Sequence, residues 1–281
     1  MKKHLYIVTG ASRGMGLAMA LQLLKPDNFL LCISRTSPDS LGATARTMQA
    51  DLEHWPLDLD HGLQAGAMLT QWLGSRKPGS FASATLINNA AVLPRIVPLS
   101  QADPAELSKA LRVGLEAPMQ LTAAFLHGTE GWLDALSAQD AQGPGAPPGA
   151  PPDASPGSAQ TFLRRVLNIS SGNGRGAMAS QAIYSAAKAG LDHFTRCLAL
   201  EEALKAQGAR VCSLAPGVVD TDMQTYLRAA DAESFPDHAR FVDLKAQGHL
   251  SSPAVAAAQV LAYLARPDFG SNPVADLRDA A

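Results

Sequence analysis

The sequence predicts an α/β protein in which a doubly wound parallel sheet lies between two layers of helices, a three-layer α/β/α arrangement. Three observations predict it. Short apolar runs alternate with longer segments of helical period along most of the 281 residues. Strands separated by helix-length segments are joined by crossovers, which leave the strands parallel. A glycine-rich turn follows the first apolar run directly, where open parallel sheets bind ligands.

The first half of the chain supplies four strands. An apolar run at 5–8 predicts the first, and a helix follows over 17–24 until Pro26 stops it. The same alternation predicts strands at 29–34, 53–57 and 84–88, with helices at 41–49 and 61–73.

The second half continues the alternation. It predicts helices at about 104–126, 183–205 and 253–264, strands at 166–169, 210–215 and 274–277, and an irregular or helical excursion at 223–247.

One segment breaks the pattern. Residues 143–157 contain ten Pro or Gly in fifteen positions, a composition that excludes a helix or a central strand. We predict a flexible, solvent-exposed insertion at about 143–159 within a single domain that spans residues 1–281. A ligand for a proline-recognising partner is the alternative.

Composition excludes several functions. The 23 Lys and Arg nearly balance the 25 Asp and Glu, for a net charge of −2, so no nucleic-acid partner is expected. No apolar run has the length of a membrane span, which predicts a cytoplasmic protein with no membrane contact. The three cysteines have no metal-ligand spacing, so no metal site is expected.

The turn after the first strand has the spacing TGxxxGxG. Glycines let the backbone turn sharply and approach a ligand, while the N–H groups at the start of the next helix face an anion. Between a strand and an apolar helix, this pattern predicts the dinucleotide site of a Rossmann-type fold. The residues expected to contact the cofactor here are Thr9, Gly10, Ser12, Arg13, Gly14, Met15 and Gly16.

The second strand ends in Ser34 and Arg35, where an acidic residue would bind the ribose 2′-hydroxyl of NAD. Arg35 favours NADP(H) instead, because a guanidinium forms charge-assisted hydrogen bonds with a 2′-phosphate. We expect Arg13 to approach that phosphate from the other side.

Two more strand ends supply cofactor residues. Asp58, followed by Leu59, ends the third strand and is expected either to accept a hydrogen bond from the adenine amino group or to cap a helix. Asn88, Asn89 and Ala90 end the fourth strand, and the small Asn89 and Ala90 suit a backbone that bends beside a cofactor.

Three residues form the predicted catalytic group. Tyr184 and Lys188 are four apart in a predicted helix and share a face, and Ser171 follows the strand at 166–169. Reduction of a carbonyl by hydride needs a proton donor, and an ammonium about 4 Å from a phenol would favour phenolate by about 4 kcal/mol at an effective dielectric constant of about 20. We therefore expect Lys188 to lower the pKa of Tyr184.

With these motifs the chain resembles a short-chain dehydrogenase/reductase. The resemblance implies that Tyr184 is the general acid or base, that Lys188 also binds the nicotinamide ribose and that Ser171 polarises the carbonyl. It implies a homodimer or homotetramer as well. It adds a nicotinamide-binding loop whose expected contacts are Pro216, Gly217, Val219 and Thr221.

A narrower resemblance rests on the segments 215–224, 115–119 and 240–253. These are similar to the sepiapterin reductase and bacterial benzil reductase branch, which implies NADPH-dependent reduction of a carbonyl beside another carbonyl. Asp276 lies near the place where the pterin branch binds its substrate. The residues expected to line the substrate pocket are Leu93, Met178 and Met223.

The chain departs from the family at one position. The resemblance implies an asparagine that completes a proton relay in the helix after the fourth strand, and the matching slot holds Gly114. Glycine has no side chain to hold a relay water and costs up to about 1 kcal/mol inside a helix. Either another group replaces the asparagine or turnover is slow.

The sequence thus predicts an NADPH-dependent carbonyl reductase. Two alternatives stay open: an alcohol dehydrogenase that works in the oxidative direction, and a non-catalytic NADP(H)-binding sensor or scaffold.

Overall fold

The computed structural model of the protein describes residues 2–141 and 162–279, with the backbone alone for 134–141. The predicted insertion at about 143–159 lies outside the described residues.

The described chain has seven strands, which form one parallel sheet. The strands are β1 (Lys3–Thr9), β2 (Asn28–Ser34), β3 (Asp51–Pro56), β4 (Phe81–Asn88), β5 (Leu163–Ile169), β6 (Arg210–Ala215) and β7 (Val274–Asp276). Their order in the sheet is β3-β2-β1-β4-β5-β6-β7, which confirms the predicted fold class. The order reverses between β1 and β4, and such a reversal opens a crevice at the carboxyl ends of the two strands.

Helices cover both faces of the sheet, and the predicted excursion at 223–247 contains two of them. None of the helices among the described residues is both long and apolar enough to span a membrane. The α-helices are α1 (Gly14–Leu23), α2 (Asp39–Thr47), α3 (Gly62–Gly74), α4 (Pro104–Leu111), α5 (Ala117–Ala141), α6 (Ala182–Ala203), α7 (Asp222–Arg228), α8 (His238–Ala246) and α9 (Pro253–Ala265).

Two apolar cores lie on opposite faces of the sheet because side chains of a strand alternate between faces. On one face Ile7 and Val166 pack with Leu69 of α3, Phe125 of α5 and Leu198 of α6. In the other core, the strand side chains that point to the opposite face pack against α1, α2 and α9. Burial on both faces explains why the inner strands contain continuous apolar runs, whereas the edge strand β3 (Asp51–Pro56) is largely polar and only Trp55 is buried in it.

The single helix predicted at 104–126 is wrong in detail. A π-helical turn at Arg112–Glu116 separates α4 from α5, and α5 continues to Ala141. Glycine at position 114 lies in the middle of this turn, whereas the glycines inside α5 do not interrupt it. The next cluster of helix-breaking residues begins only at 143, which explains the length of α5.

Buried amides tie the sheet to the helices behind the crevice. Asn88 of β4 donates to the Asn168 side chain at 2.8 Å and to the Thr122 hydroxyl of α5 at 3.1 Å. Asn168 of β5 in turn donates to Thr195 of α6 at 2.8 Å. Since buried polar groups cost free energy unless they are paired, this chain of hydrogen bonds fixes α6 relative to β4 and β5.

Candidate active site

A cavity of about 810 Å³ opens above the carboxyl ends of the strands, within the size range of small-molecule sites. The residues that the sequence analysis assigns to cofactor, substrate or catalysis line this cavity, with the exceptions of Thr9, Asn88 and Asp276. The structure therefore brings together groups that lie as far apart in the sequence as Gly10 and Met223.

Thr9 lies beneath the cavity and connects its walls. The Thr9 hydroxyl oxygen accepts the backbone N–H groups of Asn89 at 2.9 Å and Ala90 at 3.0 Å. The Asn89 side chain donates back to the Thr9 carbonyl at 3.0 Å. Thr9 thus fastens the end of β1 to the end of β4, and its predicted contact with a cofactor stays a prediction.

The glycine turn has the shape that a nucleotide requires. Gly10 and Gly14 have φ angles of 70° and 56°, a region that favours glycine. A β-carbon at Gly16 would lie 2.2 Å from the Gly10 carbonyl oxygen, and one at Gly10 would lie 2.9 Å from Cα of Ala90. The tight turn leaves the start of α1 facing the cavity, where helix N–H groups can bind a phosphate.

The two arginines differ in their surroundings. Arg35 is exposed at the cavity beyond the end of β2 and forms no ion pair with the described residues. Arg13 pairs with Asp222 at 2.7 Å, so its side chain bridges the glycine turn and the start of α7. The approach of Arg13 to a 2′-phosphate stays a prediction; its Nη1 atom donates to Asp222 in this structure.

Asp58 takes the second of its two predicted roles in this structure. β3 ends at Pro56, and the Asp58 carboxylate caps a short 3₁₀ helix by accepting the Asp60 N–H at 3.0 Å. A second oxygen lies 3.6 Å from Lys109. Asp58 still lines the cavity beside Leu59, so its contact with adenine stays a prediction.

Ser171, Tyr184 and Lys188 meet at one end of the cavity. Tyr184 and Lys188 are buried on α6, at 8% and 3% exposure. The Lys188 ammonium donates to the Ile169 carbonyl at 2.7 Å and lies 5.8 Å from the centre of the Tyr184 ring. Ser171 begins the 3₁₀ turn after β5 and accepts the Asn173 N–H at 3.2 Å.

The predicted lowering of the Tyr184 pKa is wrong for this structure. Burial raises the pKa of Tyr184 to about 12, and the Ser171 hydroxyl opposes that shift only in part. Burial also lowers the pKa of Lys188 to about 8, against the attraction of Asp192. The physical reason is desolvation, which disfavours both charged forms. The phenol is therefore protonated at neutral pH, the form that can donate a proton.

Asp192 was not predicted, although it lies four residues beyond Lys188 on the same face of α6. Its carboxylate is 1% exposed and accepts the hydroxyls of Ser170 and Ser213, each at 2.6 Å. Arg175 lies 3.3 Å from the other oxygen. The spacing from Lys188 is the sequence signal that would have identified this residue.

Asp276 is enclosed by arginines. Arg278 binds both of its oxygens, at 2.9 and 2.7 Å, and Arg175 lies at 3.5 Å. The carboxylate is buried, does not line the cavity and has a lowered pKa, first because of the hydrogen bond from Arg278. Asp276 is therefore not positioned as a free carboxylate for a substrate, whereas Arg278 lines the cavity.

The three predicted substrate residues gather around one apolar cluster. Leu93, Met178 and Met223 pack against it and line the cavity, so their contact with substrate stays a prediction. The cluster consists of Ile96, Leu227, Phe235 and Phe241. Gln181 also lines the cavity and was missed, because it belongs to no recognisable motif. Arg240, another lining residue, begins the segment 240–253 on which the narrower resemblance rests.

Gly114 lies in the π-helical turn and faces the catalytic helix. A β-carbon at this position would lie 3.3 Å from Cβ of Ala187, the residue just before Lys188. The cavity therefore has no side chain at the slot where the resemblance implies an asparagine. No cluster of three potential metal ligands occurs among the residues that the structure describes.

Comparison with known proteins agrees with this site. The short chain dehydrogenase family profile matches residues 4–131 and 164–232. The chain belongs to the short-chain dehydrogenase/reductase family and is an oxidoreductase whose site is suited to a nicotinamide cofactor and a small-molecule substrate.

Three individual proteins illustrate the relationship. The chain is 31% identical to a benzil reductase ((S)-benzoin forming) from Bacillus cereus over 270 residues, covering 95% of this chain and 96% of the relative. It is 30% identical to mouse (Mus musculus) sepiapterin reductase over 287 residues, covering 97% and 96%. A short-chain dehydrogenase/reductase of known structure from Burkholderia vietnamiensis is 30% identical with a TM-score of 0.57, covering 99% of both chains.

The Lys188 ammonium predicts the pH dependence of carbonyl reduction. If Tyr184 donates the proton as the sequence predicts, the Lys188 ammonium would stabilise the resulting phenolate below pH 8, so kcat should fall as the pH rises through about 8. Asp192 raises the pKa of Lys188. Asp192→Asn should therefore move the falling limb of the kcat profile to lower pH, measured by NADPH oxidation at saturating substrate.

Glu202→Gln is the matched control for this profile. Glu202 is also a buried carboxylate on α6, but it serves Lys205 and the Ala209 N–H. Glu202→Gln should lower the free energy of unfolding without moving the falling limb of the kcat profile. An Asp192→Asn profile with the wild-type midpoint would show that the carboxylate has only a structural role.

Gly114 generates a second prediction. We expect Gly114→Asn to maintain or raise kcat, because an amide restores a group able to hold a relay water. Gly114→Ala adds only the β-carbon, which meets Ala187 at 3.3 Å, and thus measures the steric effect alone. The kcat of Gly114→Asn should exceed that of Gly114→Ala; a large fall below both Gly114→Ala and the wild type would contradict the alignment of Gly114 with the relay asparagine.

Proposed function

We propose that the protein is an NADPH-dependent carbonyl reductase that converts a ketone or diketone to an alcohol, with Tyr184 as the proton donor. The observation that carries the proposal is that Ser171, Tyr184 and Lys188 line the same cavity as the glycine turn. The benzil and sepiapterin reductases to which the chain is similar support this choice of substrate class.

The residues of the cavity fit a nicotinamide dinucleotide. The open glycine turn and the start of α1 would hold the pyrophosphate, and Arg35 would bind a 2′-phosphate. Lys188 would bind the nicotinamide ribose, and the loop from Pro216 to Thr221 would hold the carboxamide. When bound, the reduced nicotinamide supplies the hydride that the carbonyl carbon accepts.

The chain's own groups complete the reaction. Ser171 donates a hydrogen bond to the carbonyl oxygen and orients it. Tyr184 transfers its phenolic proton to the same oxygen as negative charge develops there, which yields the alcohol. The Lys188 ammonium stabilises the resulting phenolate. The apolar cluster beside Met178 and Met223 excludes water from the carbonyl.

The raised pKa of Tyr184 keeps the phenol in its proton-donating form, which suits reduction. Oxidation of an alcohol, the alternative direction, would use the same residue as a base. The cytoplasmic location and the homodimer or homotetramer implied by the resemblance stay predictions, as does the single-domain organisation.

Replacement of Tyr184 by Phe tests the proposed function. It removes the proton donor, so NADPH oxidation with a diketone such as benzil should fall at least about a hundredfold, the low end of general acid catalysis. NADPH binding, followed by its fluorescence, should persist. Tyr6→Phe removes a hydroxyl from β1 outside the cavity and should be without effect. An unchanged rate for Tyr184→Phe would refute the mechanism, and NADPH binding by the wild type without oxidation of any carbonyl compound would favour a sensor.

Replacement of Arg35 by Asp tests the cofactor. It substitutes a repelling carboxylate for a phosphate-binding cation, so the ratio of kcat/KM with NADPH to that with NADH should fall at least about tenfold, equivalent to about 1.4 kcal/mol. Arg46→Asp makes the same charge change on the exposed α2, away from the cavity, and should leave the ratio unchanged. A wild-type ratio near one would remove the argument for NADP(H).

A further inference from the structure

Arg278 combines a fixed position with a free hydrogen-bonding edge. Its Nε and Nη2 atoms donate to the two oxygens of Asp276 at 2.9 and 2.7 Å. The third nitrogen, Nη1, has no hydrogen-bond partner in the part of the chain that the structure describes. The side chain is 61% exposed and lines the cavity. One edge of the guanidinium is thus held by the protein, while the other edge meets no hydrogen-bonding group of the described residues on a side chain that lines the cavity.

The position of Arg278 is next to the catalytic serine. A β-carbon at Gly172 would lie 3.8 Å from Nη2 of Arg278, and one at Gly217 would lie 3.9 Å from its Cγ. Gly172 directly follows Ser171 in the chain, and Gly217 belongs to the predicted nicotinamide loop. Arg278 therefore borders the space in which Ser171 would bind the reacting carbonyl.

Asp276 is itself held, so the guanidinium is preorganised. Arg175 contacts Asp276 at 3.5 Å, the Ala275 carbonyl at 3.0 Å and Asp192 at 3.3 Å. The alternating series Asp192, Arg175, Asp276 and Arg278 connects the catalytic helix to the cavity rim. Preorganised donors bind ligands with a smaller entropic cost than mobile ones.

The charge of this series indicates the chemistry of its ligand. Two arginines and two buried carboxylates sum to zero and Asp279 adds a negative charge near Arg278, so the rim offers a directional hydrogen bond rather than a net positive field. A neutral oxygen acceptor suits such a donor. A carboxylate would gain less here than beside an unpaired arginine.

We infer that Arg278 is a specificity-determining residue that donates a hydrogen bond to a second, uncharged carbonyl oxygen of the substrate. The substrate class is a dicarbonyl compound whose first carbonyl is bound by Ser171 and Tyr184. This inference rests on the proposed function, since it concerns the same site. This role differs from one in which a free carboxylate of the protein binds the substrate, because both oxygens of Asp276 already accept hydrogen bonds from Arg278.

The test compares a diketone with a monoketone of the same shape. Benzil and deoxybenzoin differ in one carbonyl group. Because a hydrogen bond from a charged donor contributes about 1.5 to 3 kcal/mol, Arg278→Met should lower kcat/KM for benzil at least about tenfold. It should change the value for deoxybenzoin less than about threefold, with the wild-type pH profile retained.

Arg266→Met is the matched control. Arg266 binds Asp268 through the same two nitrogens and the same spacing of two residues, at 2.9 and 2.8 Å, but it does not line the cavity. It should leave the benzil preference unchanged. An equal effect of Arg278→Met on both ketones, or no effect on either, would overturn the inference. A selective loss with a keto acid such as benzoylformate but not with benzil would overturn it as well.

Binding without turnover separates this inference from the proposed function. Calorimetric titration of benzil into the NADP⁺-loaded wild-type protein and the Arg278→Met variant should give at least about a tenfold weaker dissociation constant for the variant. This difference supports the role of Arg278 even if NADPH is not oxidised, a result that would refute only the reductase function. Equal binding by both proteins, or no binding by the wild type, would overturn the role of Arg278.

Discussion

The site depends most on the hydrogen bonds that the buried carboxylate of Asp192 accepts. The carboxylate accepts hydrogen bonds from the hydroxyls of Ser170, which follows β5, and Ser213, which lies in the neighbouring strand β6. Asp192 itself lies on α6, the helix that carries Tyr184 and Lys188. A carboxylate at 1% exposure is tolerated only where several donors compensate it. Its hydrogen bonds therefore hold the proton donor, the ammonium and the serine turn in one arrangement.

The same burial that fixes the site also sets its chemistry. Desolvation keeps the Tyr184 phenol neutral and makes the Lys188 ammonium easier to deprotonate. A neutral Tyr184 phenol beside the Lys188 ammonium suits a step in which the phenol loses its proton and becomes a phenolate. The protonation states of Tyr184 and Lys188 thus depend on the depth at which these two side chains of α6 lie below the cavity surface.

Much of this arrangement follows from the sequence. The strands are detectable because both faces are buried, and Ser171, Tyr184 and Lys188 are detectable because their spacing relative to β5 and α6 is fixed by regular structure. The partner of Arg13 is 209 residues away, and Arg278 reaches Gly172 only through the fold, so neither contact has a local signal. The pKa of Tyr184 depends on how deeply the phenol is buried, and the four-residue spacing of Tyr184 and Lys188 in the sequence does not predict burial.

Gly114 also constrains how this sequence can change. Its missing β-carbon leaves room for that of Ala187, which adjoins Lys188. A side chain gained at position 114 would therefore be felt first at Ala187, and a shift of a few tenths of an ångström there would reach the backbone that carries Lys188. The freedom to change residue 114 is thus limited by the packing of its neighbour on α6.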